Sequence, residues 1–291
     1  MNDQINFDAL LPGAMAAKAE DLGTKKAALG LANMFALAIL AGAFISLGAI
    51  FATTVLAGSS TLPYGVARLL AGLAFTLGLI LVVVGGSELF TGNNLIMMAF
   101  ASGKVSLGGL LRNWVTVYIG NFIGSIATAI IMFYSKQYTF GTGSIGLTAL
   151  GIGESKTSFE FVQAIALGIM CNALVCMAVW LCYSARTTTD KILAIIPPIS
   201  AFVAAGFEHS IANMYFIPIA LFIKNGAPAS FWQLKALTDA AKTAASFPHL
   251  TWRNFFVANL LPVTIGNILG GAFMVGLVYW FIYLRKPAGN K

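Results

Sequence analysis

The nine residues GFEHSIANM, at positions 206–214, interrupt a run that is otherwise apolar and uncharged, with ILAIIPPISAFVAA before them and YFIPIALFI after. An acid beside an imidazole in such a run is costly in a bilayer, and by default it marks function. Residues 86–93, GSELFTGN, interrupt a second apolar run, and the two share the pattern G-x-E-x-x-x-x-N. Farther along, NWVTVYIGNFIGS (113–125) parallels NLLPVTIGNILGG (259–271): each has an Asn, a second Asn eight positions on, and a Gly three beyond that. Two motifs recurring in one order predict an internal duplication.

Composition sets the frame for these motifs. Of 291 residues, 58% are hydrophobic and 9% charged, against about a quarter charged in soluble domains. The chain is predicted to be an all-α integral membrane protein with six spans. The first runs from Ala27 to Gly58, and the second from Leu69 to Gly86, where it meets Glu88. The third covers Asn113 to Ser135 and the fourth Phe161 to Ala185. The fifth starts at Ile192, meets Glu208 and His209 and resumes to Ile223, and the sixth covers Asn254 to Leu284.

The duplication is therefore three spans plus three, although the first and fourth spans share no pattern. Three is odd, so the second copy is predicted to be inverted, with the second and fifth helices broken near the midplane, as in many transporters and channels. Backbone unwound at that depth must be buried in protein or line a cavity. Gly85, Gly86 and Gly92 permit the first break; Pro197, Pro198 and Gly206 disrupt the second.

Residues 1–26 lack the apolar core of a signal peptide. FDALLPGAMAAKAEDLG within them reads as a short amphipathic helix with Asp8 as its candidate N-cap. A single membrane domain at 27–286 and a tail at 287–291 follow. Ten of the 17 Lys and Arg fall on the side of the N-terminus, which favours both termini in the cytoplasm. The net charge of +7 comes without a basic cluster, so no nucleic-acid partner is expected. Cys171, Cys176 and Cys182 share one apolar run and give neither a disulfide framework nor metal-ligand spacing. With no haem ligand set, nucleotide-binding loop or nucleophile triad, no cofactor or metal is expected, and the chain is not read as an enzyme.

The deep polar inventory is Glu88, Thr91, Asn93, Asn172, Glu208, His209, Asn213, Asn259 and Asn267. Glu88 and Glu208 occupy equivalent positions beside Asn93 and Asn213. They are read as scaffold, acceptors for the N–H groups freed at the breaks, because a buried carboxylate needs such donors or a cation. His209 departs from the duplication, since its counterpart is Leu89. It reads either as a donor and proton relay to an anion or as a buried structural histidine. Phe75 and Leu79 lie one turn apart, and with Leu89, Phe90 and Phe202 they form apolar constrictions or simply pack. Lys156 either draws anions into a vestibule or snorkels to the interface.

Through GSELFTGNN, GFEHSIANM and NLLPVTIGNILGG, the sequence resembles the formate/nitrite transporter family over essentially its whole length. The resemblance implies an aquaporin-like protomer in a homopentamer, each with its own pore, in the lipid bilayer of a bacterial inner membrane. It makes His209 the central pore histidine and Thr91 the threonine that hydrogen-bonds it. Leu79, Leu89 and Phe202 become one constriction and Phe75 a second, while Lys156, Asn172 and Asn259 draw in or orient the anion. The N-terminal helix matches a segment proposed to gate the pore.

The expected function is passage of a small monovalent anion, formate, either as the anion or as formic acid after protonation by His209. Nitrite and hydrosulfide are the rival substrates. The rival class is a neutral-solute pore of the aquaporin type, whose Asn-Pro-Ala signatures are absent. A structural or redox membrane subunit would need cofactor ligands that the sequence lacks.

Overall fold

The computed structural model of the chain describes residues 9–285, which contain helices and connecting turns and no strand. Helix α1 (Pro12–Ala27) opens on a proline, whose missing N–H is no loss in the first helical turn. Asp8, the expected N-cap, and the tail at 287–291 lie outside the described residues. Then come α2 (Leu31–Leu56), α3 (Tyr64–Gly85), the short α4 (Phe90–Asn93) and α5 (Ile96–Ala101), and α6 (Leu107–Tyr134). The second half runs through α7 (Ser144–Thr157), α8 (Phe161–Ser184), α9 (Thr188–Ala205) and α10 (Ser210–Gly226) to a last span, Trp252–Tyr283.

Among the described residues six helices, α2, α3, α6, α8, α9 and the last span, are long and apolar enough to cross a membrane. These are the six segments the apolar runs predict, with α10 continuing the fifth beyond its break. The third span starts at Leu107, ahead of the expected Asn113, because the Ser106 hydroxyl accepts the Gly109 N–H and caps α6. Arg112 is accommodated inside that helix by donating to the carbonyls of Ala27 at 2.7 Å and Leu29 at 2.9 Å.

Both breaks fall at a glycine in the left-handed region, Gly86 with φ +77° and Gly206 with φ +78°. A side chain disfavours that conformation, and glycine does not. Pro197 and Pro198, expected to disrupt the fifth span, sit instead inside a continuous α9, and Gly92 lies inside α4.

The duplication reaches further than the sequence motifs. The same succession of buried, half-buried and exposed positions runs through residues 21–46 and 151–176, spanning the end of α1 with α2 and the end of α7 with α8. Lys26 and Lys156 each stand five residues before the spans α2 and α8 begin. Helix α7, which lies between the third and fourth predicted spans, is thus the counterpart of α1. The crossings correspond as well. At Gly124 a Cβ would strike the Ile39 carbonyl of α2, and at Gly270 one would strike the Ile169 carbonyl of α8. Small residues let membrane helices approach where dispersion is the main attraction, and here they set how closely the third span packs on the first and the sixth on the fourth.

Candidate functional site

Each break exposes backbone groups that need partners in a water-poor interior. In the first, the Asn121 amide accepts the Phe90 N–H at 3.0 Å and donates to the carbonyls of Glu88 at 2.9 Å and Ala38 at 2.7 Å. In the second, Asn267 accepts the Ser210 N–H at 2.9 Å and donates to Glu208 at 2.9 Å and Gly168 at 2.8 Å. One buried asparagine therefore staples each loop to its neighbouring span. That role was expected of Glu88 and Glu208, so the assignment is corrected. An amide, which both donates and accepts, can satisfy an N–H and two carbonyls at once; a carboxylate cannot.

The two glutamates face charged partners instead. Glu88 accepts from Lys26 at 2.6 Å and Asn93 at 2.7 Å, and Asn93 also donates to Asn113 at 2.9 Å. Glu208 accepts from Lys156 at 2.7 Å, Asn213 at 2.7 Å and Asn259 at 3.1 Å. Buried carboxylates so paired keep their charge at bearable cost. The two networks also differ at the asparagine oxygens. Asn93 Oδ1 takes a second bond from Lys26 at 3.1 Å, whereas Asn213 Oδ1 has no partner. Lys156 thus spends one N–H on Glu208, lies 5.4 Å above the Phe216 ring, and keeps its other donors for the adjoining cavity.

Two cavities approach the breaks from opposite sides. The larger, about 650 Å³, is lined by Lys156, Glu208, His209, Phe75, Phe202 and Arg68 among others. The smaller, about 330 Å³, is lined by Lys26, Glu88, Leu79, Leu89, Ser87 and Lys191 among others. Phe75 and Phe202 meet edge to face with centroids 5.6 Å apart, and Phe202 stacks on the His209 ring at 5.9 Å. Between the cavities His209 Nε2 and Thr91 Oγ1 are 3.0 Å apart, both buried. His209 Nδ1 accepts the Ala212 N–H at 3.0 Å and so caps α10. A nitrogen that accepts carries no proton, so the neutral ring holds its hydrogen on Nε2, directed at Thr91. The Thr91 hydroxyl, accepting from the ring, has its own proton to give.

Not every expected pathway residue lines a cavity. Phe90 turns away from Leu79 and Leu89, packing on Tyr118 and Trp114 at 4.9 and 6.1 Å in a separate apolar groove. Asn172 braces α4 at Thr91, donating to Thr91 O at 3.3 Å, Asn94 Oδ1 at 3.0 Å and Asn267 O at 2.7 Å. Asn259 donates to the Lys156 carbonyl at 2.8 Å and so fixes the cation's mount. Lys26, Asn94 and Asn121 were given no site role in the sequence. Lys26 had one usable signal, its spacing from α2, which repeats that of Lys156 from α8.

Comparison with known proteins completes the description. The family profile described as Formate/nitrite transporter matches residues 13–281. The chain belongs to the formate/nitrite transporter family. It is 46% identical over 280 residues to the formate channel FocA of Escherichia coli, covering 96% of each chain. It is 40% identical to the FocA of Haemophilus influenzae over 276 residues, covering 95% of each. A solved pentameric formate channel with formate bound superposes with a TM-score of 0.82 at 50% identity, over 88% of this chain and 98% of that one. The family comprises channels and transporters rather than enzymes, and the chain is a formate channel or transporter of that family, crossing the membrane several times.

Proposed function

We propose that the chain passes formate through each protomer of a homopentamer in a bacterial inner membrane, both termini cytoplasmic and the two halves inverted relative to each other. The observation that carries this reading is the Thr91–His209 pair, set between two cavities and walled by Phe75, Phe202, Leu79 and Leu89. Lys156 lowers the energy of an arriving anion, and its remaining N–H donors face the larger cavity. An anion stripped of water between apolar rings is strongly disfavoured, so a proton delivered there eases passage.

His209 supplies it in a defined order. Water in the larger cavity protonates Nδ1, which must first release the Ala212 N–H. The resulting imidazolium passes its Nε2 proton, through the Thr91 hydroxyl, to the carboxylate. Formic acid then crosses the Leu79 and Leu89 side, and the ring regains its resting tautomer by exchange with water. The cap bond keeps the ring neutral between cycles. Formate, nitrite, hydrosulfide and glycerol fluxes into proteoliposomes at two pH values test the reading. Formate flux that rises on acidification is expected; glycerol flux without formate flux would reject it.

A further inference from the structure

The smaller cavity carries charge that the passage mechanism does not use. Besides Lys26, which Glu88 neutralises at 2.6 Å, it is lined by Lys18 of α1 and Lys191 of α9. Among the described residues neither forms an ion pair with a carboxylate. Lys18 donates to the Tyr183 carbonyl at 2.9 Å. Burial, and after it the like charges of Lys191 and Arg186, lowers the Lys18 pKa. The cavity wall also holds Ser87, the first residue after the left-handed Gly86. Ser87 is 7% exposed and its hydroxyl has no hydrogen-bond partner. A buried hydroxyl without a partner calls for explanation. In the duplicated half its counterpart is Phe207, which cannot hydrogen-bond through its side chain, so this arrangement exists on one side only.

We infer that Ser87, Lys18 and Lys191 form an anion-binding subsite in the smaller cavity, which holds a small monovalent carboxylate before it reaches Leu79 and Leu89. The inference rests on the formate reading above. The ammonium groups concentrate the anion at the mouth, and the serine hydroxyl turns from its partnerless position to donate to one carboxylate oxygen. Because Lys18 lies on α1, docking of that helix completes the subsite.

Uptake of radiolabelled formate into oppositely oriented membrane vesicles tests it, with transport measured from the α1 face and from the opposite face. At about 10 mM ionic strength, Lys18→Gln with Lys191→Gln should raise the half-saturating formate concentration from the α1 face about fivefold, and at about 1 M salt the difference should vanish. Ser87→Ala should raise it about tenfold at both salt concentrations, as expected for a lost hydrogen bond to a charged group. Transport from the Lys156 face should keep its half-saturation in each variant. Lys18→Arg with Lys191→Arg should restore the wild-type value, and Lys25→Gln, whose lysine is exposed and paired with Asp21, should not change it. Equal effects from both faces, a salt-independent effect of the lysine pair, or failure of the arginine variant to rescue would overturn the subsite. Wild-type vesicles that take up no formate from either face would reject the parent reading instead.

Discussion

Thr91 is fully buried and held at both its carbonyl and its hydroxyl. Its carbonyl accepts from Asn172 and from the Cys176 thiol at 3.3 Å each, and its hydroxyl meets His209. This leaves the hydroxyl proton as the group a passing carboxylate meets. Thr91→Ser keeps that donor and should retain most of the flux. Thr91→Ala should lower formate flux about tenfold, the worth of a hydrogen bond to a charged group, and blunt its pH response; unchanged flux between pH 4 and 8 would make the threonine scaffold. At this scale the sequence was readable where a residue broke the duplication. His209 opposite Leu89 drew attention because symmetry made it an exception. Phe90 misled because it opens the short helix α4 directly after the break, and nothing in the local pattern records which way the first side chain of such a helix turns.

The breaks themselves are elements, and asparagines hold them. Removing Asn267 leaves the Ser210 N–H and the carbonyls of Glu208 and Gly168 without that partner. At about 1–3 kcal/mol for each unsatisfied buried group, Asn267→Ala should destabilise by several kcal/mol. Asn121→Ala should cost a similar amount, since its three bonds are the same in kind. Thermal unfolding in detergent checks both, and an unshifted midpoint in either would contradict the staple. Span positions were legible because apolar length is a direct demand of the bilayer. The prolines of α9 were misjudged because membrane helices absorb proline when neighbouring groups re-satisfy the backbone. The kinship of α2 with α8 was invisible in sequence because lipid and packing constrain burial and residue size more than identity. Burial repeats through residues 21–46 and 151–176 where the letters do not.

Across the whole molecule, α1 is tied to the membrane domain by Lys18, Lys26 and a Glu20–Lys104 ion pair at 2.5 Å. Burial alone would raise the Glu20 pKa, but hydrogen bonds from Lys104 and Ser102 outweigh it and hold the group below its ordinary 4.5. A depressed acid stabilises the docked state fully above its ordinary value and loses that contribution as pH falls through the depressed one. Protease cleavage within α1 should therefore accelerate as pH drops below about 4.5, and Glu20→Gln should remove most of that dependence; identical pH profiles would show that α1 docking does not rest on this carboxylate.

The central claim is that the histidine gives the anion a proton on its way through. His209→Asn keeps an N-cap for α10, because asparagine is a favoured capping residue, and it removes the titrating ring. Formate uptake into proteoliposomes under an imposed membrane potential separates the two cases. The wild type should carry formate electroneutrally, with uptake independent of potential, while the His209→Asn channel should carry the bare anion and follow the potential. Wild-type uptake that follows the potential as steeply as the variant would contradict the account.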